Sequence, residues 1–98
     1  MVKRGFYVRL EAKSGQGPAL AEFLSSALPL ANAEPGTKQW YAVKFDESTF
    51  GIFDTFVDEA GRQAHLDGPI AAALMKHGPD LLAKMPTIER HEILAAKV

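Results

Sequence analysis

Three histidines, His65, His77 and His91, are the side chains here whose ordinary pKa, about 6.5, suits proton transfer near neutral pH. Beside an apolar pocket, such a residue could serve as a general base, provided aromatic walls hold a ring and a donor meets the developing oxyanion. The spacing narrows the choice. No two histidines stand at i, i+4 on one helix with an acid beside them, so no metal site is expected. The absence of cysteine excludes disulfides, thiolate nucleophiles and cysteine-held metals. The segment "SGQG" has neither the G-x-G-x-x-G spacing nor a Walker lysine, and Ser25-Ser26 has no base in register. His77, before Gly78-Pro79, reads as a partner for a helix C-terminus. His91, between Arg90 and Glu92, reads as solvated or interfacial. His65 follows the aromatic run "FGIFDTF" by a few residues, and it is either a base at a pocket or a hydrogen-bonding tie between helix and strand.

The elements that must position these residues follow from periodicity. Residues 3–13 alternate, with Phe6, Val8 and Leu10 on one face and Tyr7, Arg9 and Glu11 on the other. Pro18 opens a helix in which Leu20, Phe23, Leu24, Ala27, Leu28 and Ala31 share a stripe, and Pro29 kinks or ends it. Residues 37–45 and 48–57 form a hairpin around the polar connection 46–48, with Trp40 and Tyr41 on opposite faces. Asp58 caps a short helix to Leu66; a second helix starts at Pro69, with Ile70, Ala73, Leu74 and Leu81 on one side, and Gly78-Pro79 bends it. Residues 87–95 complete the set as a last strand. The order β-α-β-β-α-β predicts a single α+β domain over 1–98, a ferredoxin-like four-stranded antiparallel sheet with helices on one face and the first and third strands central.

Composition adds a partner. With 98 residues, 47% of them apolar, the chain carries more apolar material than one small core hides. Bulky residues fall on both sheet faces: Tyr7 opposite Phe6, Trp40 opposite Tyr41, Phe53 opposite Phe50 and Phe56. A sheet with one wet face alternates more cleanly. A homodimer through the helix-free face is therefore expected. Eleven basic against twelve acidic residues, without a basic block, argue against nucleic-acid binding. No apolar run approaches the roughly 20 residues of a membrane span, and the first 15 residues carry charges where a secretory leader needs an apolar stretch, so a cytoplasmic location is expected. Arg9, on a central strand, is expected to pair with Glu11 or Glu92 or to meet an anionic ligand.

Glu34-Pro35-Gly36-Thr37 leading into Trp40-Tyr41, and "FGIFDTF" entering "VDEAGRQAHL" with its Ala64-His65, resemble the antibiotic biosynthesis monooxygenase (ABM) domain family over nearly the whole chain. The resemblance implies a ferredoxin-like dimeric α+β barrel and cofactor-independent oxidation of a small quinol or phenol by O2, with no metal or flavin. It also implies that His65 assists deprotonation at the mouth of a helix–sheet cavity. Tyr7, Trp40, Phe53 and Phe56 are the candidate substrate-binding aromatics, with Tyr41, Phe50 and Phe23 behind them. Haem-degrading proteins of the same fold use an Asn, Trp and His set, whereas the first strand here offers Tyr7 and Arg9, and Phe56 stands where a Trp is expected. The alternatives are a non-catalytic small-molecule-binding or stress-associated dimer, and an isomerase of a small carbonyl metabolite.

Overall fold

A computed structural model describes residues 3–97. Its elements are β1 (Arg4–Glu11), α1 (Gly17–Ser26), α2 (Leu28–Asn32), β2 (Thr37–Lys44), β3 (Thr49–Phe56), α3 (Glu59–Leu66), α4 (Pro69–Leu81) and β4 (Thr87–Glu92). The strands form one antiparallel sheet in the order β2-β3-β1-β4, so β1 and β3 are central as expected. Phe6, Val8 and Leu10 of β1 stand opposite Asp54, Ile52 and Phe50 of β3 and form the sheet's half of the core. Leu20 and Leu24 of α1, Leu74 of α4 and Leu82 form the other half.

Local chemistry explains most boundaries. Asp46 Oδ1 accepts from the Ser48 and Thr49 N–H groups at 2.9 and 2.8 Å and closes the hairpin between β2 and β3. These bonds favour the ionised carboxylate and lower the Asp46 pKa. Asp58 caps α3 by accepting from Gly61 N at 2.8 Å. The first helix departs from its expected form. It stops at Ser26, and Pro29 lies in the first turn of a separate α2, where a missing N–H costs nothing. The break shifts the stripe, leaving Leu28 47% exposed although the i, i+4 pattern turned it inward. Pro79, expected to bend α4, lies inside a helix that continues to Leu81, and Lys13 Nζ donates to its carbonyl. The last strand ends at Glu92 rather than near residue 95.

One irregularity matters for function. Between Thr37 and Gln39 the β2–β3 register shifts: Thr37 lies opposite Phe56, Gln39 opposite Thr55 and Trp40 opposite Asp54. The bulge turns Thr37 and Trp40 to the helix side although they are three positions apart. Without it, a period of two would put them on opposite faces.

Candidate functional site

His65 sits where three elements meet. It projects from the last turn of α3, and its Nδ1 lies 2.6 Å from Glu34 Oε1, in the turn before β2. Its Nε2 approaches Asp54 Oδ2 of β3 to 3.0 Å. This second contact lies within hydrogen-bonding distance, and both carboxylates favour the protonated ring. The Thr37 hydroxyl donates to Glu34 Oε1 at 2.7 Å. The imidazole rests on Phe56 and Phe6, with ring centroids 5.2 and 6.4 Å away. Burial opposes its charge, yet hydrogen bonding and charge from Asp54 and then Glu34 outweigh burial and raise the His65 pKa. The cluster is thus an imidazole held between two acids that favour its protonated form, of which Asp54 is fully buried.

Backbone packing makes this contact possible. A Cβ on Gly36 would lie 2.7 Å from Gly61 Cα, so only paired glycines let the Glu34 turn close onto α3. Over the outer edge of the cluster, Glu59 gathers Arg4, Arg62 and Arg90, and the last two place their guanidinium groups 5.6 and 5.7 Å from the Phe6 ring.

The expected aromatic set does not come together. Phe56 is fully buried core, in edge contact with Phe6, so it lines no opening. Tyr7 and Phe53 lie opposite each other on the helix-free face, away from His65. Trp40 alone combines the helix face with partial exposure. It lines a cleft of about 250 Å³ between α2 and β2, together with Leu28, Ala31, Asn32, Thr37 and Lys38. His65 is 7% exposed and is not among the residues that line this cleft, so it does not stand at its mouth. Thr37 and Trp40 connect the two: one bonds Glu34, the other stands opposite Asp54.

A second cleft, about 200 Å³, opens at the far end of the helix layer between α4 and residues 82–86. Leu74, Met75, Gly78, Leu82 and Met85 line it, with Lys84 as its polar member.

Two other residues singled out from sequence, Arg9 and His77, have different neighbours from those expected. Arg9 pairs with neither Glu11 nor Glu92. It faces outward on the helix-free side and lies 5.7 Å over the Phe45 ring, while Glu11 meets Lys84 at 3.7 Å. His77 packs edge-on against Phe23 instead of serving a helix end. His91 stacks on Phe53 at 5.4 Å, lying across Gly5, where any Cβ would stand 2.6 Å from its Nε2. Among the described residues, no three His, Cys, Asp or Glu side chains converge to hold a metal. No helix there is long and apolar enough to cross a membrane.

Sequence reasoning missed Glu34 and Asp54 as partners of His65. Asp54 did carry a signal: it is the lone acid at an inward position of β3, between Ile52 and Phe56, where an unpaired charge is costly. Glu34 carried none beyond its place in a turn.

No protein-family model matches the chain, and no curated protein sequence does. Solved structures do. NE2512, a protein of unknown function from Nitrosomonas europaea, is 64% identical, with 100% of this chain and 95% of that one covered and a TM-score of 0.98. A candidate antibiotic biosynthesis monooxygenase from the same organism is 15% identical, with 94% and 90% covered and a TM-score of 0.83. Another, from Caulobacter crescentus, is 22% identical, with 96% and 92% covered and a TM-score of 0.73. The chain therefore belongs to one family with NE2512, and it has the ferredoxin-like α+β fold of the antibiotic biosynthesis monooxygenase proteins.

Proposed function

We propose that the chain is a cytoplasmic, cofactor-independent monooxygenase of a small phenol or quinol, working as a homodimer. The observation that carries this reading is the cleft beside Trp40, joined through Thr37 to the Glu34–His65–Asp54 cluster. Two carboxylates, one of them fully buried, gathered on one histidine are costly to hold for stability alone, and such groups cluster at sites of proton chemistry. The cleft, about 250 Å³ and open to solvent, leaves room for one aromatic ring against Trp40. A quinol bound there loses a proton, and its anion passes electrons to O2. One oxygen atom enters the ring and the other leaves as water, the quinol supplying every electron. The fixed positive charge of His65 assists by favouring an anion nearby.

The dimer reading draws support from the helix-free face. Tyr41, Val43, Phe45 and Phe53 form an apolar area there, with Tyr41 53% and Phe45 57% exposed. A second copy of this face is the self-complementary cover that two-fold symmetry supplies. A second reading, a non-catalytic binding module, is favoured by one feature: both ring nitrogens of His65 are already engaged.

The test is oxygen consumption with a panel of hydroquinones and polyphenols, corrected for autoxidation, with dimer state followed by light scattering. Protein-dependent uptake that falls at least about tenfold in folded, dimeric His65→Ala supports the monooxygenase. No uptake across the panel leaves the binding module.

A further inference from the structure

Three guanidinium groups from three elements gather on one carboxylate at the end of the sheet where β1 begins. Arg62 of α3 meets Glu59 Oε2 at 2.5 Å, Arg4 of β1 meets the same oxygen at 3.5 Å, and Arg90 of β4 meets Oε1 at 3.4 Å. The β1–β4 register makes this possible: Arg90 stands opposite Phe6 and Glu92 opposite Arg4, so both arginines lie on the helix side of the sheet. Three positive charges against one negative leave two uncompensated, and like charges held this close repel. Neighbouring groups do not redress the balance. Asp58 is turned to the Gly61 N–H as the α3 cap, while Lys3 and Glu92, which line a cleft of about 250 Å³ beside Arg4, are opposite in sign.

Donors are in excess as well. A guanidinium presents several N–H groups in a planar fork, and Glu59 has only two oxygens to offer three of them. Arg62 Nε, on a side chain only 11% exposed, is buried without an acceptor, whereas buried donors are nearly always paired. Guanidinium forks match the oxygens of phosphate, and a phosphate ester carries close to two negative charges near neutral pH, the charge that this cluster lacks. We propose that Arg4, Arg62 and Arg90 form a binding site for a phosphate dianion, seated beside Glu59. A small phosphate monoester and free phosphate share this chemistry. The Glu59 carboxylate steadies the three cations and repels the incoming anion, so its charge sets the affinity. None of the three arginines lines the Trp40 cleft, so this site is separate from the one proposed above and stands whether or not a quinol is oxidised.

The probe is phenyl phosphate, titrated by calorimetry against the full chain at low salt and slightly above neutral pH, with phenyl sulfate, similar in shape but singly charged, as its control. Phenyl phosphate should bind at least about tenfold more tightly than phenyl sulfate, and the gap should narrow as salt is added. Arg90→Ala should weaken binding about tenfold, Glu59→Gln should tighten it, and Lys76→Ala, on an exposed position of α4, should leave it unchanged. Arg62→Lys, which keeps the charge and deletes the fork, should also weaken it; if that variant fails to fold, the exposed Arg90 decides alone. Inorganic phosphate titrated in parallel separates the sources: equal affinity assigns the free anion, and a preference for phenyl phosphate assigns the monoester. Equal binding of the phosphate and sulfate esters, binding indifferent to Arg90→Ala, weaker binding in Glu59→Gln, or no binding of either phosphate would overturn the proposal.

Discussion

The two ends of the helix–sheet interface differ in what holds them closed. At the β3 C-terminal end, α3 is fixed by a buried imidazolium between two carboxylates and by a glycine–glycine contact. At the opposite end, α4 leaves an apolar cleft walled by Met75 and Met85, both more than 60% exposed. Charge in a low-dielectric interior demands fixed geometry, because an unmet charge costs several kcal/mol. Flexible thioether side chains tolerate open space. The difference assigns rigidity to one end and adaptability to the other.

The largest test of this contrast removes one member of the clamp. Asp54→Ala leaves His65 with a single partner and should cost about 3–5 kcal/mol, read as a lower midpoint in urea unfolding. Replacing Glu34, His65 and Asp54 together with apolar residues of similar volume should cost much less. If the triple variant is as unstable as the single one, the clamp is not an electrostatic unit.

Gly36→Ala comes next. Its new Cβ meets backbone rather than a movable side chain, so a loss of about 1–3 kcal/mol is expected from thermal unfolding. An unchanged midpoint would mean that the Glu34 turn can retreat from α3.

The pH dependence sharpens the comparison further. The His65 pKa is raised in the folded chain, so its contribution is complete below the unfolded value near 6.5 and is lost as pH rises through the folded value. Stability should therefore fall as pH rises above about 6.5, and this slope should disappear in His65→Gln. A slope that survives in the variant would assign the effect to another group. The smallest effect belongs to the open end: Met75→Ala should change stability by no more than about 0.5 kcal/mol, since its side chain lies largely in solvent. A larger loss would show that the cleft wall is packed structure.

The phases of the strands were legible in the sequence, because an alternation of two assigns each side chain to a face without knowledge of its neighbours. Phe6, Val8 and Leu10 against Tyr7 and Arg9, and Phe50 and Phe56 against Phe53, lie as the alternation requires. The Asp58 cap and the helix starts at Pro18 and Pro69 are local signals of the same kind. Elsewhere local signals competed. The apolar stripe from Leu20 to Ala31 argued for one helix, but Pro29 cannot supply the N–H that a continuous helix needs, and Leu28 was lost from the core.

The site was legible only in part. His65 stood out by residue type and by its place after an aromatic strand, and its surroundings were hidden. Glu34 lies 31 residues away and reaches it only because Gly36 and Gly61 touch. Trp40 faces Asp54 only because a bulge shifts the β2 register by one residue, and nothing in local composition marks that shift. Sequence by itself determined the elements, their inward faces and the ferredoxin-like order, since these follow from periodicity and backbone stereochemistry within a few residues. Tertiary structure alone decided that His65 is held between two carboxylates, that Tyr7 and Phe53 lie across the sheet from it, and that Trp40 and Asp54 stand opposite each other. Each of these depends on distances between segments far apart in the chain, which only close packing sets.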